Sequence, residues 1–481
     1  MLDRFIVASE FGGVAIQSIG TLEKAYNLMP SIAQDIFVSA AGWNFARKKF
    51  GKGFSDFLAH IEETQWWTKD ELIEYQNEKL RELIGFVAEN SRFYRKVMQR
   101  AGVKPSEIRE VSDLKRLPYL EKDDIRNNIQ EISPTHRKDL RLEQRHTSGT
   151  TGAGMHFYWD SSAIMKEYAF VARHRRWASV EPLDLQATFG GRIVVPISRK
   201  EPPFWRTNLA ERQVFFSMYH VSRGNAPHYL KKLRDLSPIF IQGYPSMLST
   251  IAMFSEELGM PLDGPKAIFT SSETLLESQR VSIEDAFQCK AFDWYGNSEL
   301  CASIGQCERG NYHLNAEYGI VELDRDFRGM DGNTGQMICT SFVNYGTPLL
   351  RYRIGDLIRL SDSKCPCGRG LPVVSEIVGR LDDMIMTPEG VCIGRIDHIF
   401  KDATNVREAQ VIQEKVDELR ILIVPREGFS DSDKDNLERE FRIRFGGGMS
   451  LEFEIVSSVP REEGKKFRSV ISKIGRDTHD D

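Results

Sequence analysis

The segment Thr147-Ser148-Gly149-Thr150-Thr151-Gly152-Ala153-Gly154 packs three glycines and four hydroxyl side chains into eight positions, directly before an apolar run. Glycines let backbone N–H groups approach phosphate oxygens closely, and hydroxyls add neutral donors, so this loop suits a polyphosphate. It is not a Walker A loop, because no Gly-Lys-Ser/Thr follows. Farther on, Trp294-Tyr295-Gly296-Asn297-Ser298-Glu299 combines a ring able to stack on a base with a carboxylate able to hold Mg²⁺ through hard oxygens. Arg351-Tyr352-Arg353-Ile354-Gly355-Asp356 sets a carboxylate after a glycine turn, suited to the two hydroxyls of a ribose. Gly379-Arg380-Leu381-Asp382-Asp383 and Pro460-Arg461-Glu462-Glu463-Gly464-Lys465-Lys466-Phe467-Arg468 follow. Singly, each has a plainer reading: a loop, a Tyr-Gly turn, a charged linker, a solvated basic tail.

Cys307 and His313 stand six residues apart, and Cys365-Pro366-Cys367 supplies two more soft ligands about fifty residues later. Four such ligands suffice for tetrahedral Zn²⁺, and a closed Cys₃His set leaves no position for substrate, so its role would be structural. The competing reading is four reduced cysteine and histidine side chains packed as small core residues.

The elements that must position these groups read as α/β. Short apolar runs at Arg192–Ile197, Pro238–Ile241, Ala267–Phe269 and Cys289–Tyr295 alternate with helix-like segments, the pattern of parallel strands with crossover helices. Gly319–Leu323, Gly335–Ser341 and Leu357–Leu360 read as antiparallel strands. Residues 70–101 carry Leu72, Leu80, Leu83, Ile84 and Val87 on one helical face, and Gly102 ends the run. The spacing predicts three parts: a helical extension over 1–55, a large domain over 56–379 and a smaller one over 380–481. In the last, Glu408–Gln413, Glu418–Val424 and Leu451–Val456 are expected strands around a helix at Ser432–Phe445.

In this order and spacing, the motifs resemble the adenylate-forming superfamily of acyl-CoA synthetases, luciferases and nonribosomal adenylation domains. With Gly243-Tyr244-Pro245-Ser246 and Cys365-Pro366-Cys367-Gly368-Arg369, the chain is most similar to the phenylacetate-CoA ligase branch and its CapK-type relatives associated with capsular polysaccharide synthesis. The resemblance implies a large N-terminal α/β domain and a small mobile α+β C-terminal domain. It also implies ATP- and Mg²⁺-dependent conversion of a carboxylic acid to its acyl-AMP, then transfer to a thiol acceptor, coenzyme A. In that scheme Thr147, Ser148, Gly149, Thr150, Thr151 and Gly152 hold phosphates. Tyr295, Gly296, Ser298 and Asp356 bind the nucleoside, Glu299 ligates Mg²⁺, Arg380 reaches the nucleotide and Lys465 meets the reacting carboxylate and α-phosphate. Asp382 matches the hinge. Glu273 is a nucleotide contact or a helix cap, and Tyr244, Pro245, Ser246 and Cys301 border the acyl pocket. The cysteine and histidine spacing resembles a structural zinc site of some relatives.

The chain departs from the pattern where a lysine often follows the loop glycines: Ala153-Gly154-Met155-His156 stands there instead. This keeps two other outcomes in view, transfer of the acyl group to an amine or hydroxyl, and a catalytically degenerate nucleotide-binding protein. Sixty-four basic against 69 acidic residues, a net charge of −5, provide no global field for nucleic acid. No run of about 18 apolar residues and no secretory signal pattern is seen, so a cytoplasmic protein is expected. Peripheral membrane contact by residues 1–55 and a homodimer are the partner expectations for the N-terminal stretch, beside packing on its own domain.

Overall fold

The computed structural model describes residues 25–146, 155–325, 333–380, 385–388, 392–393, 399–400, 403, 405–445, 448–459 and 468–474. The described chain opens with helices α1 (Ser31–Lys49), α2 (Phe54–Thr64), α3 (Lys69–Asn90), α4 (Arg92–Arg100) and α5 (Lys122–Ile132). The predicted helix over 70–101 is therefore two helices. Ser91 leaves the helical region at φ −115°, ψ 119°, and its Oγ accepts the Tyr94 N–H, starting α4 as an N-cap. A capping box between Thr68 and Glu71 starts α3.

A hairpin of β1 (Glu143–His146) and β2 (His156–Trp159) leads into α6 (Ala163–Trp177). Then come β3 (Gln186–Gly190), β4 (Trp205–Asn208), β5 (Gln213–Ser217), α7 (Ala226–Leu236), β6 (Phe240–Gly243) and α8 (Pro245–Glu257). Next are β7 (Ala267–Ser271), α9 (Glu277–Phe287) and β8 (Ala291–Gly296). Strands β3, β5, β6, β7 and β8 pair in parallel, with β4 antiparallel at the edge. Their apolar residues stack through the sheet, as Phe189 and Phe216 do at 4.7 Å between ring centroids.

The expected strand at Arg192–Ile197 is not formed; the strand lies just before it, at Gln186–Gly190. Pro196 lacks the N–H a central strand needs, and Val194 and Val195 are consumed under α1 in a cluster with Tyr26, Val38 and Ala41. The strand expected at Cys289–Tyr295 is β8, shifted by two residues at its start.

From β8 the same twelve-stranded sheet turns antiparallel. It continues through β9 (Ser303–Gln306), β10 (Tyr312–Leu314), β11 (Gly319–Asp324), β12 (Thr334–Ser341), β13 (Tyr352–Ser361) and β14 (Val373–Arg380). Its order is β11-β12-β13-β14-β10-β9-β8-β7-β6-β3-β5-β4. The C-terminal part holds β15 (Ile385–Met386), β16 (Cys392–Ile393), β17 (Val406–Lys415), β18 (Glu418–Pro425), α10 (Asp431–Phe445), β19 (Ser450–Ile455) and β20 (Val470–Ser472). Strands β19-β18-β17-β20 form a second sheet, and α10 packs Leu437, Phe441 and Phe445 on Val411, Ile421 and Ile423. The predicted strands and helix there fall on β17, β18, β19 and α10. Among the described residues no helix is long and apolar enough to cross a membrane.

Candidate active site

The chain runs from β3 to build β4 and β5 on one side, then returns through α7 to build β6 on the other. That reversal between β3 and β6 opens a crevice at the carboxyl ends of the parallel strands, where ligands of open α/β sheets bind. The crevice is bordered by Gly190-Gly191 and by Gly243-Tyr244-Pro245-Ser246. A Cβ on Gly243 would meet Phe189 O at 2.7 Å, so only glycine permits this approach. The Tyr219 hydroxyl donates to Gly191 O at 3.0 Å. Burial pushes the neighbouring Tyr244 phenol up to about 12. Pro245 opens α8 at a position where its missing N–H costs nothing. Ser246 is buried, and its N–H donates to Glu273 Oε2 at 3.1 Å. Glu273 thus caps α8, the helix of the neighbouring strand, and joins the loops after β6 and β7.

At the end of β8 the Tyr295 hydroxyl donates to Asp356 Oδ2 at 2.5 Å. Desolvation, with the Asp356 charge beside it, raises the Tyr295 phenol well above its ordinary value, so it stays a donor. Asp356 is buried on β13, opposite Arg380 of β14, and follows Gly355 at φ +93°. Glu299 Oε1 accepts from the Tyr352 hydroxyl at 3.3 Å. The intervening turn is built by Asn297, whose side chain takes the Cys301 N–H and donates to Ala302 O, both at 2.9 Å. Gly296 is hemmed in by the Trp294 indole, 3.0 Å from where a Cβ would stand. Cys301 is fully buried in the core cluster with Ile304 and Leu350.

Strands β1 and β2 pair with His146 opposite His156, so residues 147–154 connect the facing ends of one hairpin. Thr147–Gly152, Asp382 and Lys465 lie outside the described residues. The root of the loop is nevertheless fixed: Trp159 Nε1 donates to Ser298 O at 3.1 Å, bringing β2 to the Glu299 turn. Asp160 accepts the Tyr345 N–H at 2.7 Å, and Thr347 Oγ1 accepts the Tyr158 N–H at 2.8 Å. Sequence reasoning missed Trp159, Asp160, Tyr352 and Thr347, because each acts through hydrogen bonds distant in sequence that leave no periodic trace. His156 is exposed, with Nδ1 3.4 Å from Gln144 Nε2. A separate cavity of about 1340 Å³ between Tyr94, Tyr119 and Arg351 is lined by none of the predicted site residues.

The structure brings Cys307, His313, Cys365 and Cys367 together, with one ligand atom of each within 4.8 Å of the others. Cys307 and Cys365 sulfurs are 3.7 Å apart, and Cys367 Sγ is 3.3 Å from His313 Nε2. With Zn–S bonds of about 2.3 Å, a tetrahedral site has sulfur–sulfur edges of about 3.8 Å, so the donor set fits. His313 Nδ1 lies 3.3 Å from Leu371 O, which orients the ring and leaves Nε2 toward the sulfurs.

Residues 385–473 match the family model described as the CapK C-terminal domain. Protein CapK of Staphylococcus aureus is 29% identical over 469 residues, covering 94% of this chain and 100% of that protein. The chain is CapK-like. Phenylacetate-coenzyme A ligases are also among its homologues: that of Escherichia coli is 26% identical over 437 residues, covering 83% of this chain and 94% of that protein. That of Thermus thermophilus is 25% identical over 354 residues, covering 66% and 72%. A solved 2-hydroxyisobutyryl-CoA ligase superposes with a TM-score of 0.67 over 86% of this chain and 92% of its own, at 19% identity. This CapK-like chain therefore has the mixed α/β fold of adenylate-forming CoA ligases, with a C-terminal domain.

Proposed function

We propose that the chain is a cytoplasmic adenylate-forming ligase, converting a carboxylic acid and ATP to acyl-AMP and pyrophosphate and passing the acyl group to a thiol, coenzyme A. The observation that carries this reading is the Tyr295–Asp356 contact beside Glu299, at the end of the last parallel strand. A buried carboxylate held by a neutral phenol is prepared to accept both ribose hydroxyls, while the ring of Tyr295 offers a face to adenine. Glu299 would hold Mg²⁺, which when bound neutralises phosphate charge.

Thr147, Ser148, Gly149, Thr150, Thr151 and Gly152 would cradle the phosphates, and Gly296, Ser298 and Arg380 would complete the nucleotide contacts. Lys465 would neutralise the charge that builds as the carboxylate attacks the α-phosphorus, so the chemistry is chiefly placement and electrostatics. Residues 56–379 form the large domain in this reading. Rotation of 380–481 about Asp382 would withdraw Lys465 and admit the thiol. Glu273 acts through the α8 cap it makes, and Tyr244, Pro245 and Ser246 border the acid; Cys301, expected at the acyl pocket, is instead a fully buried core residue. The Tyr219 and Tyr244 rings, which flank Gly191, support an aryl acid, whereas Phe215 and Phe216 are consumed in the core. Cys307, His313, Cys365 and Cys367 hold a structural zinc.

A second reading keeps adenylation and sends the acyl group to an amine or hydroxyl acceptor. The absence of a lysine at Ala153–His156 favours it. AMP release with one accepted acid, measured with coenzyme A, an amine or a sugar hydroxyl as acceptor, separates the two. Stimulation by coenzyme A alone supports the ligase, and stimulation by the amine or sugar alone supports the transferase.

A further inference from the structure

Helix α1 turns one face into the protein and leaves the other bare. Inward, Gly42 lies so close to Asn208 that a Cβ would overlap its side chain, and Lys49 pairs with Glu211 at 2.6 Å between the rings of Phe45 and Tyr168. Tyr26 donates to Val194 O at 2.6 Å, and the Gln34 side chain accepts from Arg206. The helix is thus rigidly seated along the edge strand β4.

Outward, positions 32, 36, 40, 43 and 47 recur at helical spacing and are all exposed. Ile32 is 75%, Ile36 67% and Trp43 59% exposed, and Leu28, just before the helix, is 86% exposed. The stripe continues onto the neighbouring turn: Leu209, 75% exposed, donates its N–H to Ser39 Oγ on the flank of the same face. Isolated surface apolar residues need no explanation, whereas a contiguous patch of this kind marks a partner.

The rim identifies the partner. Arg47 lies over the Trp43 ring at 4.9 Å, and exposed Arg212, whose N–H donates to Leu209 O, stands beside the Leu209 end of the stripe. The acids on α1 and its neighbours are committed inward or to bases: Glu211 to Lys49, Glu143 to Lys48 and Asp35 to the Thr207 N–H. A flat apolar stripe with a Trp–Arg pair and a cationic rim is the arrangement that lies in a lipid–water interface. Two copies of the chain laid face to face would instead crowd these cationic rims together.

We propose that α1 docks this protein on an anionic lipid surface, with Ile32, Ile36, Trp43 and Leu209 in the acyl boundary and Arg47 and Arg212 among the headgroups. This goes beyond the proposed ligase activity and does not depend on it.

The test is co-sedimentation of the full chain with vesicles of equal parts phosphatidylglycerol and phosphatidylcholine, and with phosphatidylcholine alone. The expected result is binding to the anionic vesicles that weakens as the Debye length falls from about 10 Å at 0.1 M salt to about 3 Å at 1 M. The double variant I36S/W43S, at exposed positions that leave the fold intact, loses binding by at least about tenfold. R47E/R212E loses it comparably, providing a second reading free of apolar changes. No binding to the anionic vesicles, or binding unchanged in both variants, overturns the proposal. So does a chain that dimerises in light scattering, fails to bind vesicles and becomes monomeric as I36S/W43S, because a second copy then covers the face.

Discussion

The Tyr295 hydroxyl sits 2.5 Å from Asp356 Oδ2, tying the end of β8 to the glycine turn of β13 across 61 residues of sequence. If Asp356 receives the ribose, Tyr295→Phe keeps the ring and removes only the bond that orients the carboxylate. Its KM for ATP is expected to rise about 3–10-fold with kcat little changed, whereas Asp356→Asn loses about 10–100-fold in kcat/KM for ATP. Steady-state kinetics of both variants checks this. Equal and negligible effects would remove Asp356 from the nucleotide site.

The Cys307, His313, Cys365 and Cys367 cluster predicts close to one zinc per chain by plasma emission. Cys367→Ala is expected to abolish stoichiometric zinc and lower the melting temperature by several degrees, since a structural site contributes folding energy. Cys289→Ala, outside the cluster, serves as the control that keeps its metal. Metal-free wild type with unchanged melting would make these four residues ordinary core side chains.

Arg173 and Glu317 form a fully buried ion pair at 2.6 Å, and Glu317 also accepts the Thr64 hydroxyl at 2.6 Å. Arg173 further donates to Asn315 and to Ile61 O. This network binds α2 and α6 to the segment before β11. Glu317→Ala strands a buried guanidinium and is expected to cost about 3–5 kcal/mol, while the apolar pair R173M/E317L costs less than that single change. Denaturant midpoints test the ordering; a double variant as weak as the sum of the singles would contradict it.

His174 is buried with Nε2 3.0 Å from Gln306 O and its ring 5.1 Å from that of Trp294. Burial, reinforced by Arg175, Arg173 and Arg369, pushes its pKa down to about 3 from 6.5, against the smaller raising effect of the Gln306 carbonyl. The fold therefore takes up the neutral ring, and the unfolded chain binds the extra proton. Its contribution is fully present above about pH 6.5 and is lost as pH falls toward 3, at up to about 1.4 kcal/mol per pH unit. His174→Gln is expected to flatten that part of the unfolding free energy against pH. Identical slopes in variant and wild type would show that other groups govern acid unfolding.

The fold class was legible in the sequence, and candidate side chains for the chemistry could be named before the neighbours that position them. Tyr295, Glu299 and Asp356 could be named because glycine turns and carboxylates keep their order along the chain, and the metal cluster because soft ligands are rare enough to stand out. The strand before Gly191 was misplaced because an apolar run reads alike whether it enters a sheet or fills the space under a helix. Ser91 was read through because a helical face continues across a cap that only one residue makes. Glu273 illustrates the remaining gap: its cap belongs to α8, and no local pattern links residue 273 to a helix beginning at 245. The outward face of α1 was equally opaque, since periodicity locates an apolar stripe without saying which side of it meets protein.

The most direct test of adenylation is acid-dependent ATP–pyrophosphate exchange over a panel of aryl, fatty and sugar acids, comparing wild type with Glu299→Gln and Lys465→Ala. The expected result is exchange with at least one acid class that falls by at least about a hundredfold in both variants. Tight ATP binding with no exchange for any acid, or exchange that survives both substitutions, would contradict the account and favour a nucleotide-binding protein that does not activate carboxylates.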